Sequence, residues 1–274
     1  MAGLHLVLAL AADGSRRSAF ILAKDREHMG FAAPQIFELD APLAPVCNKK
    51  LVSEGLLMFR LLPTKLLDCQ FHPHGVATEL FIVEGDSASN AIGCVRDPGF
   101  QAVMPMQGKP LNAWKATESK VAKNEFFSAV NQAIGAGWGA SFRLEEIRYE
   151  KIILVFDPDA DGIHCGMLVL MYFHRWMRTL LESGRIYMVH PPLFEITAPG
   201  MKELVCAVSD EEAALCLAKV QKEVSPNAVK KRFRGLASMS AAVLKQYCVQ
   251  PTTRHVFRMR PKDAEAAIDV FCPK

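Results

Sequence analysis

The run Lys151-Ile-Ile-Leu-Val-Phe leads directly into Asp157-Pro-Asp159-Ala-Asp161-Gly162. An apolar, β-branched segment of this length reads as a buried strand. It ends in three carboxylates at alternate positions, and alternate positions on an extended segment project to one side. Like charges repel, and a buried carboxylate is costly. A divalent cation would remove that cost, and hard oxygen ligands at the mouth of a strand suit magnesium. An EF-hand loop also begins Asp-x-Asp-x-Asp-Gly, but it needs an acidic ligand at its twelfth position and a helix before it. Here the twelfth position is Leu168 and a strand precedes, which excludes that reading.

The segments around this one alternate in type. Glu79-Leu-Phe-Ile-Val-Glu84-Gly85 reads as a short buried strand ending in an acid, and Asp86-Ser87-Ala88 offers residues to cap a helix. Gln101–Met106 reads as a second strand. Ser119–Ile134 has helical spacing and ends at Gly135. Lys151–Phe156 is a third strand, His164–Leu181 a buried helix with Gly184 beyond it, and Arg185–Val189 a fourth strand stopped by Pro191-Pro192. Strands alternating with helices predict an α/β fold with a parallel sheet. Ligands in such sheets sit at the carboxyl ends of the strands, where Glu84 and the three aspartates fall. Residues 1–50 read as short strands, Leu4–Ala11 and Ala19–Ala23, followed by a Pro-bearing stretch. The apolar start resembles a signal segment but lacks a basic leader, so a buried first strand is expected.

The eight cysteines form no CxxC pair and no zinc spacing. They read as reduced thiols of a cytoplasmic protein. No apolar run approaches the roughly 20 residues of a membrane span. The net charge of +3 is unevenly spread. From Lys219 to Lys262, eleven basic residues face one acid, Glu223, with Phe233, Tyr247 and Phe257 among them. Such a segment suits a polyanion; a solvated surface is the alternative. In Met106-Gln107-Gly108-Lys109-Pro110-Leu111-Asn112, Lys109 could meet a phosphate and Asn112 a sugar or base; a solvated turn is the alternative. His72-Pro-His74 could ligate a metal or be incidental.

Together these stretches resemble the TOPRIM region of bacterial type II topoisomerase B subunits, those of DNA gyrase and topoisomerase IV. The resemblance rests on Leu62-Pro-Thr-Lys65-Leu-Leu-Asp68-Cys69, Glu84-Gly85-Asp86-Ser87-Ala88, Gly108-Lys109-Pro-Leu-Asn112, Asp157-Pro-Asp159-Ala-Asp161-Gly162-Ile-His164 and Pro191-Pro192-Leu193-Phe194. Lys231-Arg232-Phe233-Arg234-Gly235-Leu236-Ala-Ser-Met239 resembles the basic Gly-Leu motif of the family's tail. The fold it implies is a Rossmann-like parallel sheet flanked by helices, spanning residues 61–200. A segment of unknown role, 1–60, would precede it, and a basic, mainly helical tail, 201–274, would follow.

The resemblance also implies roles. Glu84, Asp157 and Asp159 would be catalytic, and with Asp161 they would hold Mg²⁺, as two ions. Glu84 and Asp157 would share one ion, Asp157 and Asp159 the other. Lys109, Asn112, Arg232 and Arg234 would contact DNA. The implied activity is DNA cleavage and religation with an A subunit that carries the catalytic tyrosine, in the cytoplasm at the nucleoid. A non-catalytic paralogue or fragment that docks on DNA or on A subunits is a second reading, and a stand-alone Mg²⁺ nuclease a third. No Gly-rich nucleotide motif occurs, so no ATP site is expected in this chain, and an ATPase would come from a separate chain. The sequence departs from the family at Ser89-Asn90-Ala91-Ile92, where small glycines and a lysine are usual, and at Gln107, Gly166 and Glu195, where basic residues are common. Each of these changes lowers positive charge near DNA while the acids are kept. Pro158 also replaces a small residue and biases Asp157 toward extended backbone.

Overall fold

The computed structural model describes residues 4–10, 17–23, 35–38, 62–70 and 77–272, the first three segments by backbone only. His72 and His74 lie outside them. The chain divides into two compact units, Met1–Phe59 and Arg60–Lys274. In the first, β1 (Leu4–Leu10), β2 (Arg17–Ala23) and β3 (Gln35–Glu38) form an antiparallel sheet in that order. Leu4 pairs with Ala23, and Ser18 with Glu38.

The second unit is an α/β fold. Its elements begin β4 (Glu79–Glu84), α1 (Gly85–Val95), β5 (Gln101–Met106), α2 (Glu118–Ala122), α3 (Glu125–Ile134), β6 (Lys151–Val155), α4 (Ala160–Trp176), α5 (Arg178–Glu182) and β7 (Ile186–Val189). They continue with β8 (Phe194–Thr197), β9 (Val205–Ala207), α6 (Asp210–Glu223), β10 (Val229–Arg232), α7 (Ala241–Val243, running into a π-helical turn at Leu244–Val249), β11 (Val256–Arg258) and α8 (Pro261–Phe271). The main sheet has the order β11-β7-β6-β4-β5. The pairs β5–β4, β4–β6 and β6–β7 are parallel, and β11 closes one edge antiparallel to β7.

Helices cover both faces, which explains why β4 and β5 are apolar almost without interruption. Leu80 and Ile82 pack on one face with Phe127 and Val130 of α3 and Tyr172 and Phe173 of α4. Phe81 and Val83 pack on the other with Ala88 and Ile92 of α1, Leu244 and Val249. The strand alternation therefore splits one apolar run between two cores. A second, antiparallel sheet of order β10-β8-β9 rests on α6, with Phe194, Ile196, Ala213 and Val220 between them.

Two expected helices are each divided. Asn124 accepts the Phe127 N–H and starts α3 afresh after α2. The backbone at Met177 leaves helical geometry between α4 and α5. Gly135 and Gly184 end their helices with φ of 72° and 71°, as the spacing predicts. From β4 the chain enters α1 on one face, and from the neighbouring β6 it enters α4 on the other. The carboxyl ends of β4 and β6 thus flank a topological switch point, the place where open α/β sheets bind ligands.

Candidate metal centre and its basic rim

Glu84 ends β4 and is the residue from which α1 starts. The expected cap, beginning at Asp86, is two residues too late. Gly85, with φ of 77°, turns the chain directly into the helix, and Glu84 makes no capping bond. Asp86 instead accepts from Lys65 at 2.8 Å and from Gln107 at 2.9 Å. Glu84 Oε2 is buried with no hydrogen-bond partner among the described residues. Burial first, and then the charges of Asp157, Asp159 and Asp161, push the Glu84 carboxyl above the usual carboxylate range, while Lys109 pulls it back.

Asp157 lies two residues past the end of β6 and is half-buried. Its Oδ1 accepts the Leu236 N–H at 2.8 Å. Burial raises this carboxyl too, the Leu236 bond opposes the rise, and Asp159 adds to it. Gly162 folds back over this residue so closely that a Cβ there would sit 2.1 Å from the Asp157 carbonyl oxygen.

The three aspartates do not all project to one side. Helix α4 begins at Ala160, so the segment is extended only as far as Asp159. Asp159 caps the helix by accepting the Gly162 N–H at 2.8 Å. Asp161 stands in the first turn, exposed, 3.1 Å from Lys109 Nζ. Among the described residues, no three acidic, histidine or cysteine side chains stand in a ready-made ligand cage. What the structure brings together is an electrostatic cluster. Glu84 and Asp157 hold the inner positions, and Asp159 and Asp161 add negative charge outside them.

The rim is basic but partly committed. Lys109 follows Gly108, whose φ is 65°, and is held by Asp161. Asn112 is used internally. Its Oδ1 accepts from the Trp114 and Lys115 N–H groups at 3.1 and 3.2 Å, and its Nδ2 donates to Cys272 Sγ at 3.3 Å. His164 stacks on Phe271, centroids 4.7 Å apart. Arg232 and Arg234 are exposed at the end of β10 and just beyond it. Arg254, another member of the basic run, is buried against Glu79. Phe233 is a core residue, and the Tyr247 hydroxyl donates to the Leu204 carbonyl.

Two contributors belong to the Gly-Leu motif of the tail, but nothing in the sequence ties that motif to Asp157: the Leu236 N–H, which is backbone, and Gly235, which lies against the Asp157 carboxylate. Chemically, the pair Glu84 and Asp157 offers hard, repelling oxygens and an unmatched buried acceptor. That donor set fits a divalent cation.

The match to known proteins covers this centre. A model of the Toprim domain matches residues 79–191. The DNA gyrase B subunit of Thermotoga maritima is 40% identical over 219 residues, 80% of this chain and 33% of the relative. The DNA topoisomerase 4 B subunit of Streptococcus pneumoniae is 37% identical over 229 residues, 82% of this chain and 34% of the relative. The chain thus spans about a third of the length of the curated relatives it matches.

Proposed function

We propose, from the premise that residues 79–191 form a Toprim domain and that the chain resembles the corresponding third of gyrase and topoisomerase IV B subunits, that it is the Mg²⁺-dependent DNA cleavage and religation module of a type IIA topoisomerase. The tyrosine that attacks the DNA backbone would come from an A subunit. The observation that carries the reading is Glu84 Oε2, buried and unmatched beside Asp157 at the sheet's switch point.

Glu84 and Asp157 would hold one Mg²⁺, and Asp159 would turn from its helix cap to share a second with Asp157. Bound there, the ions would polarise a phosphoryl oxygen and stabilise the charge on the leaving sugar oxygen. Asp161 supports the site by holding Lys109 at its edge. Burial and the neighbouring acids hold the Glu84 carboxyl above the usual carboxylate range, and beside the ions it would be placed to exchange a proton with that sugar oxygen. Lys109, Arg232 and Arg234 would grip DNA phosphates, with Asn112 beside them. ATP-driven strand passage would draw on an ATPase from a separate chain. Among the described residues no helix is long and apolar enough to cross a membrane, and the proposed place of action is the nucleoid in the cytoplasm.

A second reading is a module that docks on DNA or on A subunits without catalysis. It is favoured by the uncharged Gln107, and by Asn112 and Lys109 being already engaged within the chain. The deciding experiment is a cleavage assay with purified gyrase A subunit, supercoiled DNA and Mg²⁺, run with the wild-type chain and with Asp157→Ala. Cleavage by the wild type that the variant loses supports the first reading. A stable complex with no cleavage supports the second. Nicking without the A subunit would point to a stand-alone nuclease instead.

A further inference from the structure

We propose that the Gly235–Leu236 turn is the positioning element for Asp157, and so for the divalent cation; this rests on the metal-centre reading above. The two partners are almost 80 residues apart in sequence and meet at one carboxylate. The Leu236 N–H donates to Asp157 Oδ1 at 2.8 Å, and no other hydrogen bond to that carboxylate occurs among the described residues. The other oxygen lies over Gly235. A Cβ added there would come within 2.4 Å of Asp157 Oδ2 and 2.8 Å of its Cγ. Gly235 is therefore a seat shaped to the carboxylate, and the N–H beside it sets which oxygen points where.

The seat is stiff. Leu236 is fully buried, and it packs in the same core as Val83 of β4 and Val155 of β6. Phe233 and Met239 flank it in that core. Ser238 closes the turn: its Oγ donates to the Gly235 carbonyl at 2.7 Å and accepts the Arg234 N–H at 2.9 Å. A backbone donor anchored by a buried leucine on the two site-bearing strands cannot drift relative to them. The same turn continues directly from the exposed basic residues of β10, so the segment proposed to hold DNA also aims the metal ligand.

A purely structural role, tying the tail to the sheet, makes a different forecast. In Gly235→Ala the added Cβ meets the end of the Asp157 side chain, and the φ of 157° at Gly235 adds backbone strain confined to the turn. The carboxylate should be displaced, with the cost to the fold read separately from thermal unfolding in chelator. Groups that orient a metal ligand typically change metal affinity by about 10- to 100-fold when removed.

The test is Mn²⁺ binding to the full chain, measured as loss of the free-ion paramagnetic resonance signal. It is paired with thermal unfolding in chelator and with duplex DNA binding in chelator at fixed salt. Asp157→Asn should abolish binding. Gly235→Ala should weaken it about tenfold, and Ser238→Ala about fivefold, the worth of one hydrogen bond. DNA affinity should stay within about twofold of wild type in both turn variants. If Gly235→Ala binds Mn²⁺ as tightly as wild type while Asp157→Asn does not, the positioning inference is wrong and the metal reading stands. If the wild type itself takes up no Mn²⁺ at millimolar concentrations, the metal reading is what fails. Should Gly235→Ala not fold, an unchanged affinity in Ser238→Ala overturns the inference.

Discussion

The Arg254 guanidinium clasps the Glu79 carboxylate, Nη1 to Oε2 at 2.7 Å and Nη2 to Oε1 at 2.5 Å, with the two side chains 3% and 1% exposed. Gln101 donates to the same carboxylate at 2.8 Å, and Arg254 also donates to the Val249 carbonyl. A residue from the basic tail thereby fixes the first residue of β4, the strand that carries Glu84 at its other end.

Breaking this pair from one side should be severe, because it leaves the buried Glu79 carboxylate with only the part-exposed Lys151 ammonium, 3.9 Å away, to offset its charge. Arg254→Met is expected to cost roughly 3–5 kcal/mol, a fall in Tm on the order of 10 °C for a domain of this size. Pairing it with Glu79→Leu should recover much of the loss, since no charge is then stranded. Chemical denaturation of both variants checks this. A single variant losing under about 1 kcal/mol would show that the pair adds little.

His174 gives the fold a pH dependence. It is buried beside Trp114, and its Nε2 accepts from Arg178 Nη1 at 2.8 Å, a bond that only the neutral ring can make. Glu265 is nearby at 3.7 Å but is also shared with Arg178. Burial and then Arg178 hold the ring below its ordinary value of 6.5, with Glu265 and Glu182 opposing. A depressed folded value means the unfolded chain takes up the proton first. The stability is whole above about pH 6.5 and is lost as pH falls through the lower folded value. Tm should therefore drop between pH 7 and pH 5, and His174→Gln should flatten that stretch of the curve. An equal slope in the variant would rule His174 out as the cause.

The parallel sheet was legible because burial on both faces leaves the strands apolar throughout, as in Leu80–Val83 and Ile152–Val155. Glu84 and Asp157 were legible as acids ending such strands. The geometry of the triplet was not, because helix α4 starts inside it and takes Asp159 as its cap. The tail misled for a similar reason. Arg254 looks like its basic neighbours, and nothing local marks a partner 175 positions away. The Leu236 donor is backbone, so it has no residue type to read.

Glu84 should limit stability until a cation arrives. Its carboxyl is raised by burial and by neighbouring acids, so its ionised form at neutral pH works against the fold. Glu84→Gln is expected to raise Tm in chelator, because the amide brings no charge into the acidic cluster. Saturating Mg²⁺ should stabilise the wild type, by about 2.7 kcal/mol at 100 times Kd, and the variant far less. Thermal scans with and without Mg²⁺ decide it. A variant that is less stable than wild type in chelator contradicts the argument.

DNA grip should be divided unevenly along β10. Lys230 is committed to Asp210 at 2.9 Å and lies over the Phe194 ring. Arg232 lies over the same ring at 5.6 Å, but it and Arg234 are exposed and make no ion pair among the described residues. Each phosphate contact contributes about 0.9 to the slope of log affinity against log salt. Arg232→Ala with Arg234→Ala should therefore flatten that slope by roughly 2, while Lys230→Ala should leave it nearly unchanged. Asn112→Ala should weaken the Trp114 turn rather than DNA binding, because both ends of its amide are already satisfied within the chain. Salt titrations of duplex binding by fluorescence anisotropy measure all three. If Lys230 proved the steepest contributor, its bond to Asp210 would have to open on binding, and the contact would shift from the Gly235 end of β10 to the strand's start.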